Sequence, residues 1–315
     1  MNKKGALWKK VILYLVLFIT LVAASYFLYI NILNISSEPI QFLRNVSINN
    51  SQPSYTSQQQ FYSSMRFTDK NISYYIEPSC QEEKKERMQQ AFSKLEKETP
   101  LSFYQSQDSK ILVSCQASKE ETPGKYFIAG EGGPTQVINT SLFYVIEKGK
   151  VLLFYKNSFC NNYNIELHEL LHVLGFQHSS NPGSIMYNTT SCNQIITYDI
   201  IDELTRLYSI PELSDLYFQD ITATKHGIYL DFNVEIGNRG LKDSEDTKLE
   251  LYSQDSNKKF DEFNITSISY GEGKILEVSN TKLPSRNVKQ IKFLIVPGQE
   301  LDDKNNAEEL FLPES

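Results

Sequence analysis

The chain has 315 residues, 40% of them hydrophobic and 22% charged, with a formal charge of −7. That length suits about two domains, and the composition is that of a globular protein, which excludes a wholly disordered or fibrous chain. The dispersed negative charge argues against a nucleic-acid partner, and the short basic clusters at 84–87 and 258–259 read as solvated faces.

Lys3, Lys4, Lys9 and Lys10 precede "VILYLVLFITLVAASYFLYI" (11–30), a run without charge. About 20 apolar residues at 1.5 Å each span the roughly 30 Å hydrocarbon core of a bilayer. Residues 1–33 therefore read as a cytoplasmic stub and one N-terminal transmembrane helix. The lysines before it, against Glu38 as the first charge after it, put the N-terminus in the cytoplasm and the rest outside the cell. The rival reading is a secretory signal cut near "VAAS" (22–25), but the apolar run continues past those small residues, which favours the uncleaved anchor.

Residues 34–66 are rich in Ser, Asn and Gln, and read as a flexible tether. From Asn71 the pattern changes. "ISYYIEP" (72–78) is a predicted strand, and residues 80–100 a helix, with Met88, Phe92 and Leu95 at helical spacing. "SKILVSC" (109–115) is a second strand and "GEGGP" (130–134) a sharp loop. Strands are predicted at 135–139, 141–147 and 150–155. The segment "IELHELLHVLGFQHSSNPGSIMY" (165–187) starts helical, and "TYDIIDELTRLY" (197–208) is a further amphipathic helix. Together these describe a mixed α/β unit over 67–212, a normal domain size. Beyond Pro211, alternating runs at 227–238, 247–253, 262–270, 274–280 and 290–297 predict an all-β sandwich over 213–315.

Cys80, Cys115, Cys160 and Cys192 all lie beyond the apolar run and show no C-x-x-C spacing. Outside the cell two disulfides are expected, and three connectivities are open. Cys80–Cys115 with Cys160–Cys192 is preferred, because the second pair brackets the histidine segment. Seven N-x-S/T sequons, at Asn34, Asn45, Asn49, Asn71, Asn139, Asn188 and Asn264, exceed the about four expected by chance and weakly favour glycosylation.

Three of the four histidines fall in the 165–187 segment. His168 and His172 are four apart, so a helix puts both rings on one face, close enough to share a metal. Neutral imidazoles suit Zn²⁺. Glu169 stands one position after the first ligand, where a general base can take a proton from metal-bound water. Gly175 tolerates φ > 0 and stops the helix, so the chain can turn and bring His178 back as a third ligand. Three ligands leave one zinc position open, as a catalytic site requires.

The full H-E-x-x-H-x-x-G-x-x-H pattern resembles that of metzincin metalloproteases. Ser179 after the third histidine and the turn "SIMY" (184–187) are most similar to the matrixin branch, over about residues 68–210. The resemblance implies a mixed sheet with an active-site helix, one catalytic zinc and peptide-bond hydrolysis of protein or peptide substrates. It places Met186 as an apolar floor beneath the imidazoles, and Tyr187 as an aid to the oxyanion or a wall of the pocket. No histidine precedes His168 and no cysteine precedes Cys80, so a second structural zinc and a thiol latency switch are not expected. Calcium at "GEGGP" has only that loop's glutamate in its favour. The pattern "VEIGNRG…VPGQELDDKNNAEE" resembles CARDB-like immunoglobulin-type domains, which implies a surface partner for the sandwich. The competing reading is a non-catalytic surface protein whose zinc-binding domain serves adhesion. Glu169, which such a protein would have no need to keep, speaks against it.

Overall fold

The computed structural model describes Thr20 and residues 59–117, 128–155, 162–254 and 257–312. The expected transmembrane helix and most of the expected tether lie outside the described residues. Among the described residues no helix is long and apolar enough to cross a membrane. Thr56–Ser315 forms one unit with two main cores.

The first core lies under a mixed sheet. Its strands are β1 (Met65–Arg66), β2 (Asn71–Ile76), β3 (Ser102–Gln105), β4 (Ile111–Gln116), β5 (Gly130–Asn139) and β6 (Tyr144–Phe154). They run in the order β1-β6-β4-β2-β3, all parallel, with β5 added antiparallel on β6. Ile111, Val113, Val151 and Leu153 are fully buried on β4 and β6, as the period of two requires. Helix α1 (Glu82–Glu98) buries Lys84, Met88, Ala91 and Leu95 at helical spacing. Helix α2 (Asn164–Val173) is buried on every side, and α3 (Tyr198–Ser209) buries Ile200, Leu204, Leu207 and Tyr208. Cys80, between β2 and α1, and Cys115, near the end of β4, form a disulfide. Cys192 is also disulfide-bonded; its expected partner, Cys160, lies outside the described residues.

Three expectations are corrected here. "GEGGP" is the first half of β5, because its glycines let this strand lie against α2. The tether reading does not extend to residues 59–66: Met65–Arg66 pairs with β6, and the buried Arg66 guanidinium donates to the carbonyls of Leu207 and Ile210 at the end of α3. Lys84 and Arg87 are not on a solvated face but 2% and 7% exposed. Lys84 is in phase with the apolar stripe of α1 and meets Glu166 of α2 at 3.2 Å.

The second core lies between two antiparallel sheets. One contains β10 (Lys258–Ile265), β9 (Thr247–Ser253), β12 (Gln290–Val296) and β13 (Ala307–Phe311); the other contains β11 (Gly273–Lys282), β8 (Tyr229–Asn238) and β7 (Leu216–His226). Val234, Ile236, Leu249, Leu251, Ile291 and Phe293 meet between them. The sandwich expectation holds, with β7 and β13 unforeseen. A third, small cluster of Phe143, Val145 and Leu241 joins the two halves.

Candidate active site

Helix α2 carries His168, Glu169 and His172, and its end is built by Gly175. The amide of Gly175 donates to the carbonyl of His172 and that of Phe176 to Leu171, the paired bonds of a Schellman stop. Gly175 takes φ +94, which costs glycine little. A Cβ there would also stand 2.7 Å from Met65 Cγ. Beyond this turn the chain returns His178 to the first two histidines.

The three Nε2 atoms stand 3.0, 3.2 and 3.3 Å apart. His168 Nδ1 lies 2.6 Å from the carbonyl of Ile185, and His172 Nδ1 lies 2.7 Å from that of Phe176. A carbonyl only accepts, so both Nδ1 atoms carry the proton and both Nε2 atoms present lone pairs. Lone pairs facing each other at 3.0 Å need a cation between them. Zinc bonds of about 2.0–2.1 Å at tetrahedral angles separate ligand nitrogens by roughly 3.3 Å, so the donor set fits that ion. Among the described residues this triad is the one His/Cys/Asp/Glu group placed to hold a metal, and nothing there supports the calcium expectation at 130–134.

Burial, joined by the neighbouring histidines, pushes His172 down to about 4, and His168 and His178 shift in the same direction. The imidazoles are thus kept neutral and ready to ligate. Glu169 is 7% exposed, and burial, with Glu131 and Glu166 adding repulsion, raises it to about 8. Gly130 and Gly132 of β5 press on it. A Cβ at Gly130 would stand 2.8 Å from Glu169 Cγ, and one at Gly132 would stand 2.2 Å from its backbone oxygen.

The turn at 184–187 is tied to the ligands from both sides. Ile185 supplies the carbonyl for His168, and the amide of Ser179 donates to the Met186 carbonyl at 2.7 Å. Met186 is 1% exposed within the core. Tyr187 is half-buried and bridges Ser179.

Sequence reasoning missed three contributors. Phe61 lies with its ring 6.0 Å from that of His172, nearly parallel, and the backbone at 59–61 pairs with that at 175–177. The Lys84–Glu166 pair fixes α1 to the ligand helix, and the glycines of β5 set how closely that strand approaches Glu169. Only Lys84 left a signal, its phase with Met88 and Leu95.

Residues 66–209 match the Matrixin family model. No curated protein matches the chain. The match supports a matrixin-like catalytic domain over that span, and with it a zinc metalloprotease.

Proposed function

We propose that the protein is a membrane-anchored, outward-facing zinc endopeptidase in which His168, His172 and His178 hold the ion and Glu169 is the general base. The observation that carries this reading is the convergence of three imidazole nitrogens beside a buried glutamate on the same helical turn. When bound, zinc supplies Lewis acidity toward the scissile carbonyl and toward water. Glu169 takes a proton from that water and returns it to the departing amine. Met186 supports the ligands from the turn, and Tyr187 lines the pocket or assists the oxyanion.

Among the described residues β5 pairs with β6 alone. Its other edge has no strand partner among them, and its first half lies against Glu169; an extended peptide would add along that edge as a further strand. Protein or peptide substrates follow from that edge. The anchor rests on the uncharged run at 11–30, and the CARDB-like character of 213–315, with its surface partner, on the resemblance of its sequence. The test is cleavage of a denatured protein by the full-length chain, beside Glu169→Ala and a chelated sample. Wild type should cut and both controls should fail, with zinc retained by the variant. A chain that binds no zinc would sink the proposal.

A further inference from the structure

The β5–β6 hairpin touches both halves of the molecule. One end of β5 presses Gly130 and Gly132 on Glu169. The other end enters the sandwich. There the buried Thr140 donates its hydroxyl to the carbonyl of Arg239 at 2.8 Å. Gly271, at φ +78, sits so near Ile138 that a Cβ would stand 2.5 Å from its Cγ2. Phe143 and Val145 of the hairpin share their cluster with Leu241. Tyr270 donates its hydroxyl to Glu147 Oε1 on β6 at 2.6 Å, a charge-assisted bond.

The position of Glu147 gives that bond its meaning. Register along the hairpin slips on both sides of Gln136, which pairs with Lys148 while Val137 pairs with Ile146. Glu147 is therefore the extra residue of a β-bulge. A bulge interrupts the ladder and bends the strand, so pairing near Glu169 does not by itself keep the far half of β5 in line. The sandwich grips the hairpin at this weak point. A spacer on a free linker would share no core with the hairpin.

We propose that the C-terminal sandwich is a positioning element of the substrate edge, with Tyr270 acting through Glu147 to keep the whole of β5 aligned for an extended peptide. This rests on the peptidase reading above. The nine steps from Gly130 to Asn139 cover about 30 Å at 3.3 Å each. Only a substrate long enough to pass the bulge senses the sandwich.

The test uses the full-length, zinc-loaded chain with Tyr270→Phe, which removes one hydroxyl, and Glu147→Ala, which breaks the same bond from the other side. Glu147→Gln keeps an acceptor and should rescue. Amide exchange over Val137, Ile138 and Asn139 should quicken about tenfold in the two breaking variants, the size of effect expected for a hydrogen bond to a charged group. KM for a peptide of about twelve residues should rise severalfold, with kcat nearly unchanged and a four-residue peptide unaffected. Unchanged exchange overturns the proposal, as does equal loss on both peptides. If wild type cleaves neither peptide, the peptidase reading fails, and the exchange measurement still decides the role of Tyr270.

Discussion

Two backbone carbonyls, those of Ile185 and Phe176, determine what the histidines can do, because each accepts a hydrogen bond from the protonated Nδ1 and leaves Nε2 free. Glu169 is the other decisive residue. Between the ordinary carboxylate range and about pH 8 the folded apoprotein holds a proton that the unfolded chain has released, so this group's contribution to stability is lost as pH rises through that window. His172 acts in the opposite direction at lower pH. Between the ordinary imidazole value and about 4 the unfolded chain binds a proton that the fold refuses, so stability falls as pH drops there. Above about pH 6.5, the ordinary imidazole value, Glu169 titrates without that opposition. The melting temperature of the metal-free protein should therefore fall from there to about pH 8, and Glu169→Gln should flatten the slope. A cation beside the carboxylate favours its charged form, so zinc binding at pH 7 should release about one more proton from wild type than from Glu169→Gln. Calorimetry in two buffers of different ionisation enthalpy measures that difference, and equal release would refute the assigned protonation state. At Gly132 the expectation is steric. With a Cβ 2.2 Å from the Glu169 carbonyl oxygen, Gly132→Ala must move β5 or α2. Activity should fall at least about tenfold, since misplacement by about 1 Å of a reacting group costs more than that. An active Gly132→Ala enzyme would show that the close approach is not needed.

At the scale of elements, α1 and α2 are joined by a charge pair that neither helix needs for its own formation. Lys84 and Glu166 are 2% and 0% exposed. Removing one partner leaves the other buried and unpaired, so Lys84→Met should cost about 3–5 kcal/mol in urea unfolding, while Lys84→Met with Glu166→Leu should recover most of it. Additive losses in the double variant would mean that the pair is not coupled. These elements also show what was legible in the sequence. Met88, Phe92 and Leu95 at helical spacing located α1, and glycine after the second histidine located the end of α2, because both signals are local. "GEGGP" was misread as a turn because glycine serves close packing as well as it serves turns, and the partner that decides between them is 39 residues away at Glu169. Lys84 was misread because a lysine's usual place is in water, and its counter-charge lies on another helix. β7 was missed because its outer residues, "QDITATKH" (219–226), resemble a loop in composition, and only pairing with β8 makes them a strand.

For the molecule as a whole, the change of texture after Pro211 separated the two cores, but nothing in the sequence distinguished Thr140, Glu147 or Tyr270 from surface residues. The same limit hid the role of the segment before the matched domain. Residues 59–61 read as tether by composition, yet the amide of Phe61 donates to Gly175 at 2.8 Å and that of Gln177 to Gln59 at 2.7 Å. The Gln60 side chain holds both backbone groups of Met65, and Met65 packs under Gly175. This strap therefore braces the turn that carries Phe176 and His178, one the acceptor for His172 and the other the third ligand. Two chains should separate its effect from that of the domain, one beginning at Thr56 and one at Tyr62. Each lost backbone hydrogen bond is worth about 1 kcal/mol, and loosening the partners that orient ligating imidazoles typically lowers metal affinity about 10–100-fold. The shorter chain should accordingly lose zinc to a chelator at least about tenfold more readily, with its circular dichroism unchanged. Phe61→Ala in the longer chain should give a smaller loss, since it removes the ring over His172 but keeps the backbone pairing. Equal zinc retention in all three would mean that the strap only covers the site and does not brace it.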